Sequence, residues 1–148
     1  MSKGSSARGT SRRRSREFAL QGLYQWQLSG ANAATIEHQL SSAKGFERSD
    51  RNYFSTLLTG TIEQAPSLEQ SLKPYLDRKY AQLSPVERGV LLLAAYELES
   101  ELDVPYRVII SEAVELAKSY GGTDGFKYVN GVLDKLAMDK RSHEFNKK

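Results

Sequence analysis

LSPVERGVLLLAAYEL, residues 83–98, reads as a helix with a complete start and almost no polar face. Ser84 stands where an N-cap belongs. Pro85 takes the first helical position, and Glu87 follows three residues after the serine as its reciprocal cap. Behind them GVLLLAAYEL is apolar nearly all round, the pattern of a helix buried on most sides. The sequence therefore predicts a central helix with other elements packed around it.

The flanking segments share its period. Ala19, Leu20, Leu23, Trp26 and Leu28 mark a first helix stopped by Gly30. A short second helix follows Asn32, with Ile36 and Leu40 inward. Ser49 is placed to cap a third helix carrying Tyr53, Phe54, Leu57, Leu58, Thr61 and Ile62. Pro66 and Ser67 open a fourth, with Leu68, Leu72, Tyr75 and Leu76, which Pro74 should kink or cut. The capped segment is the fifth. Val104-Pro105 opens a sixth, with Val108, Ile109, Ala113, Leu116 and Ala117 inward and Gly121 at its end. Thr123 or Asp124 opens a seventh, with Val129, Val132, Leu133 and Leu136. No turn dipeptide sits between alternating strands, so the predicted fold is all-α, with short loops joining packed helices. Gly22, Gly60, Gly89 and Gly131 fall inside helices at a cost of about 1 kcal/mol each against alanine. That pattern predicts close helix–helix packing at most of them.

A chain of 148 residues, 39% of them hydrophobic, can bury one sizeable core. The expected organisation is a basic, disordered arm over residues 1–11, a single helical domain over 12–138, and a flexible tail over 139–148. With no cysteine, disulfides, thiolate metal sites and cysteine nucleophiles are excluded. No apolar run reaches the roughly 20 residues of a membrane span. The basic start leads into no apolar signal core, so the expected location is the cytoplasm.

Charge is distributed unevenly. Residues 1–16 hold six Lys/Arg and no acid, so the net +3 of the chain leaves −3 for the rest. Arg12, Arg13, Arg14 and Arg16 run directly into the first helix. Cations at a helix start oppose its dipole and one another, which suggests an anionic ligand. Charge alone fits a nucleic-acid arm and a solvated tail equally well.

A second feature is YGGTDGFKYVNGVLDK, residues 120–135. A glycine-rich turn meets a helix N-terminus, an arrangement that suits phosphate. Lys127, Tyr120, Tyr128 and Asn130 supply the cation, rings and amide that hold unpaired RNA. The same residues also fit an ordinary helix stop and cap with half-buried tyrosines. Asp124 suits a cap but would repel phosphate. His38 and His143 are the only histidines, and neither lies in a metal-binding spacing. Glu112 and Glu115 read as a solvated helix face. No nucleophile or phosphate-loop motif is present, so no enzyme, cofactor or metal site is expected.

Three stretches together resemble the bacterial transcription antitermination factor NusB family: RRRSREFALQGLYQWQLS, LSPVERGVLLLAAYEL, and DVPYRVIISEAVELAKSYGGTDGFKYVNGVLDKLA. The resemblance spans about residues 12 to 138. It implies about seven helices in two small crossed bundles and no catalysis. It implies binding of single-stranded boxA RNA together with NusE, a small-subunit ribosomal protein. It also implies assembly with other Nus factors and RNA polymerase, notably on ribosomal RNA operons. Carried onto this chain, the RNA surface comprises Arg12, Arg13, Arg14, Arg16, Tyr120, Asp124, Lys127, Tyr128 and Asn130. The partner surface comprises Tyr24, Tyr75 and Glu87. Monomer and homodimer both fit. Ala81 and Gln82 replace acids that some relatives carry there, and Gly125 replaces a frequent serine. A different class, the RNA-holding accessory domain of ribosomal RNA cytosine methyltransferases, shares the helical pattern. The third alternative is a structural adaptor with a solubilising basic end.

Overall fold

The computed structural model describes residues 2–145, with side chains from residue 7 onward. Met1, the side chains of residues 2–6, and residues 146–148 of the expected tail lie outside the described residues. The chain divides into two compact units, residues 1–63 and 64–148, where the sequence predicts one domain. Among the described residues the elements are helices and 3-10 turns, with no strand.

In the first unit, α1 (Ser2–Ser29) begins at Ser2, so residues 2–11 are helical rather than the predicted disordered arm. A helix already nucleated downstream gains a backbone bond with each added residue. The serine at 11 also ties the helix down, since its carbonyl accepts from the Asp50 N–H at 3.3 Å. Gly30, at φ +74, ends α1 in the left-handed conformation. The second helix, α2 (Ala33–Leu40), starts as read, with the Asn32 side chain accepting from the Thr35 N–H at 2.8 Å. Gly22 lets α1 approach its neighbours closely: a Cβ there would stand 2.8 Å from Leu58 Cδ1. The aromatic core runs from Phe18 to Phe46 to Phe54, edge to face at 5.2 and 5.1 Å.

Two expectations are corrected at α3 (Arg51–Leu72). Its cap is Asp50, whose Oδ1 accepts from the Tyr53 N–H at 3.0 Å. Ser49 instead donates to the Phe46 carbonyl. The predicted third and fourth helices are also one helix, with Pro66 inside it. A proline at a helix start and one in a helix interior look alike locally. The buried series Leu57, Leu58, Ala65, Leu68 and Leu72 carries the helix through. Pro74 does cut it, in a 3-10 turn over Lys73–Tyr75.

The second unit forms around α4 (Pro85–Ser100). Ser84 accepts from the Glu87 N–H at 3.1 Å, and Glu87 Oε1 accepts from the Ser84 N–H at 3.2 Å. Residues 89–98 are all buried. Each leucine among them contributes roughly 1.5–3 kcal/mol of transfer free energy. α5 (Tyr106–Tyr120) and α6 (Gly125–Lys140) pack on α4 and on each other. Ile110 takes the inward place expected for Val108, which is 42% exposed. Gly131 has open space where a Cβ would be, so close packing does not account for it.

The described part of the expected tail, residues 139–145, is instead structured. α7 (Ser142–Phe145) follows α6, and Arg141 between them is fully buried. Its guanidinium donates to the carbonyls of Leu98 (2.8 Å), Val104 (2.9 Å), Glu101 (3.0 Å) and Glu97 (3.3 Å), and to the Glu144 carboxylate. That uses all five N–H groups an arginine owns. The cation sits on the carbonyl end of α4, where the dipole favours it. Glu144 accepts from the Tyr106 N–H at 3.2 Å, at the opposite kind of end, the start of α5. Partial burial pushes the Glu144 carboxyl up. Hydrogen bonds from Arg141 and Tyr106 outweigh it and hold the group below its ordinary value.

Candidate nucleic-acid interface

Because α1 starts at Ser2, its four arginines lie three turns inside the helix, beyond the reach of the N-terminal dipole. They also point in different directions. Arg12 and Arg16, four residues apart, share the face turned to Tyr53. Their guanidinium carbons lie 4.2 and 5.5 Å from its ring centroid. Arg16 is 4% exposed and its Nη2 reaches the Tyr53 hydroxyl at 3.5 Å, so it is built into the core. Arg12 is half-buried, and its Nε is buried with no acceptor. Arg13 is exposed. Arg14 lies on the backbone of Gly45, 3.5 Å from where a Cβ would stand. Ser15 between them is buried and donates to the Asp50 carbonyl at 2.7 Å. The arginine run is thus part support and part surface. Sequence reading missed Arg51, which lies over Phe46 at 5.4 Å. Its only signal was the mixed charge of residues 44–51.

In the second unit the loop after α5 is shaped by a position with no room for a side chain and by one in the left-handed region. A Cβ on Gly121 would meet the Ala117 carbonyl oxygen at 2.7 Å. Asp124 has φ +67 and precedes α6 in the N-cap position, yet its side chain caps nothing. The carboxylate instead pairs with Lys127 at 3.5 Å. Two N–H groups of the turn, those of Gly125 and Lys127, already donate to the carbonyls of Gly122 and Asp124. The helix start therefore offers fewer free donors than its sequence suggests. Tyr120 is 46% exposed. Tyr128 is half-buried, with the Arg78 guanidinium carbon over its ring at 4.1 Å and its hydroxyl accepting from the Asp77 N–H at 3.3 Å. Burial pushes the Tyr128 hydroxyl above its usual value. Asn130 is exposed and lines a cavity of about 430 Å³ between α5 and α6 with Tyr106, Arg107 and Ser111.

The partner candidates divide in the same way. Tyr24 is 43% exposed and borders a mostly apolar cavity of about 370 Å³ with Leu28, Ile36 and Gln39. Tyr75 is half-buried in the turn after α3. Glu87 is held in the capping box, and its Oε2 lies 3.2 Å from the place of a Gly125 Cβ. A serine at 125 would crowd that carboxylate, which gives the glycine a packing reason. Among the described residues, no group of three metal-binding side chains occurs and no helix is long and apolar enough to cross a membrane.

The model of the NusB family matches residues 13–138. The chain belongs to the NusB family. A transcription antitermination protein NusB from Nitrosospira multiformis is 58% identical over 133 residues, 90% of this chain and 84% of that one. One from Paraburkholderia phymatum is 56% identical, covering 91% and 93%. The solved NusB of T. maritima superposes with a TM-score of 0.77 at 31% identity, over 88% and 96% of the two chains. A solved complex of antitermination factors NusB and NusE with double-stranded RNA contains a chain that superposes at 0.76, over 88% and 98%. At 24% identity that likeness speaks to the fold. This NusB-family chain thus has the all-helical fold that the sequence predicts, in a family of transcription antitermination proteins.

Proposed function

We propose that this chain is a non-catalytic, cytoplasmic antitermination factor that binds single-stranded boxA RNA together with NusE. In this reading it joins other Nus factors and RNA polymerase, notably on ribosomal RNA operons. The observation that carries the reading is the family match over residues 13–138. Arg12, Arg13 and Arg14 supply phosphate contacts from α1, and Arg16 holds that face in place. Lys127, Tyr128, Tyr120 and Asn130 supply a second set, with Asp124 as a local repulsive charge. Tyr24, Tyr75 and Glu87 meet the protein partner. A homodimer that covers the arginine face would compete with RNA.

The test is a filter-binding titration of single-stranded boxA-like RNA at two salt concentrations, with and without NusE. Deleting residues 1–16 would remove the buried Ser15 and Arg16, so it confounds folding with binding. Arg13→Gln avoids that: it should weaken binding and reduce the salt slope by about one unit. NusE should tighten binding. An unchanged slope, or no RNA binding with NusE present, would sink the reading and favour a structural adaptor.

A further inference from the structure

Arg78, like Arg51, is a cation that sequence reading passed over. It lies in the segment between α3 and α4, in KPYLDRKY, residues 73–80. Its guanidinium rests on the Tyr128 ring with its carbon 4.1 Å from the centroid. The neighbouring Asp77 holds it on one edge, Oδ1 accepting from Nε at 2.7 Å and Oδ2 from Nη2 at 3.4 Å. The Asp77 N–H in turn donates to the Tyr128 hydroxyl. The segment is therefore tied to the first turn of α6, one residue past Lys127. Both side chains of the ion pair are solvent-accessible, at 42% for Arg78 and 66% for Asp77.

This geometry has a consequence for the ring beneath. With the guanidinium lying on it, that face of Tyr128 is closed to a nucleobase. The planar cation itself is the accessible stacking surface, and its N–H groups are suited to phosphate. The carboxylate that now occupies one edge of those N–H groups is exposed and weakly held. It is an internal stand-in for an incoming anion.

We propose that Arg78 is an RNA-contacting residue, stacked on Tyr128 to present its guanidinium to an unpaired base and its phosphate, which displaces Asp77. The proposal rests on the RNA-binding reading above and extends it to the segment before α4. The Arg78 hydrogen bond keeps the Asp77 carboxyl below its ordinary value, so Asp77 is charged at neutral pH and competes with phosphate.

The experiment measures binding of the same single-stranded RNA to wild type, Arg78→Ala, Arg78→Lys and Asp77→Asn at several salt concentrations, with thermal melts of each. Arg78→Ala should weaken binding about ten-fold and reduce the salt slope by about one unit. Arg78→Lys should keep the slope but recover only part of the affinity, because an ammonium does not stack as a plane. Asp77→Asn should tighten binding. A purely structural Arg78 predicts the opposite for Asp77→Asn, since losing that bond would loosen the segment. Wild-type binding with unchanged slope and affinity in Arg78→Ala would overturn this assignment and leave the RNA reading standing. No wild-type binding would overturn both.

Discussion

Arg141 and Arg12 are both arginines withdrawn from water beside a helix, and they are held by different means. Arg141 has an acceptor for each of its five N–H groups, four of them backbone carbonyls. Arg12 lies on the face of Tyr53, a contact that leaves its Nε without an acceptor. An aromatic face attracts the charge but does not satisfy the donors. The first arginine is complete in the folded chain. The second keeps an unmatched donor, and that donor is closed to solvent. Matched donors, more than burial, mark the fastening cation.

The sharpest way to break this contrast is to replace both arginines by methionine. Arg141→Met should cost about 3–5 kcal/mol, because it strands carbonyls at the end of α4 and leaves Glu144 unpaired. Urea denaturation gives the value directly. RNA affinity per folded molecule should not change. The next effect is that of Glu144→Gln, at about 1–2 kcal/mol, which weakens the cage without emptying it. The Glu144 carboxyl is held below its ordinary value of 4.5 in the fold. Its contribution is thus present above the unfolded value and lost as pH falls through the folded one. The wild-type melting temperature should drop below about pH 4.5 by more than that of the Glu144→Gln chain. Parallel acid profiles would show that Glu144 is not the neutralising group.

Arg12→Met should cost only about 0.5–1 kcal/mol of stability, yet lower RNA affinity and its salt slope. If its melting penalty matched that of Arg141→Met, the distinction between the two arginines would fail. The smallest effect is expected where an ion pair is largely exposed. Asp124→Gly removes the Lys127 pair, worth little in water, and relieves a left-handed aspartate. A stabilisation of about 0.5 kcal/mol should follow in the same assay.

Much of the fold was readable because its signals are local. The Ser84–Glu87 box, the Asn32 cap, the stop at Gly30 and the apolar α4 each need only a few consecutive residues. The merging of two predicted helices at Pro66 was not readable, since what precedes the proline is set by packing. The place of Arg141 was hidden for a different reason. Its carbonyl partners lie between 37 and 44 residues earlier in the chain, and a polar neighbourhood hides them from any periodicity. Among the described residues the count of seven helices came out right by two offsetting differences, the merged α3 and the added α7. At the candidate site the residue types were legible and their exposure was not. Nothing in RRRSR shows that Arg16 is in the core and Arg13 outside. Nothing in KYV shows that Tyr128 has its face covered by a cation 50 residues away in sequence.

The match to the family model ends at residue 138, and the guanidinium that closes the end of α4 belongs to residue 141. A chain trimmed to residues 13–138 would keep all the core leucines and still lose its fastening. Anyone cutting, fusing or tagging this protein should treat residues 139–145 as part of the folded body and attach beyond them.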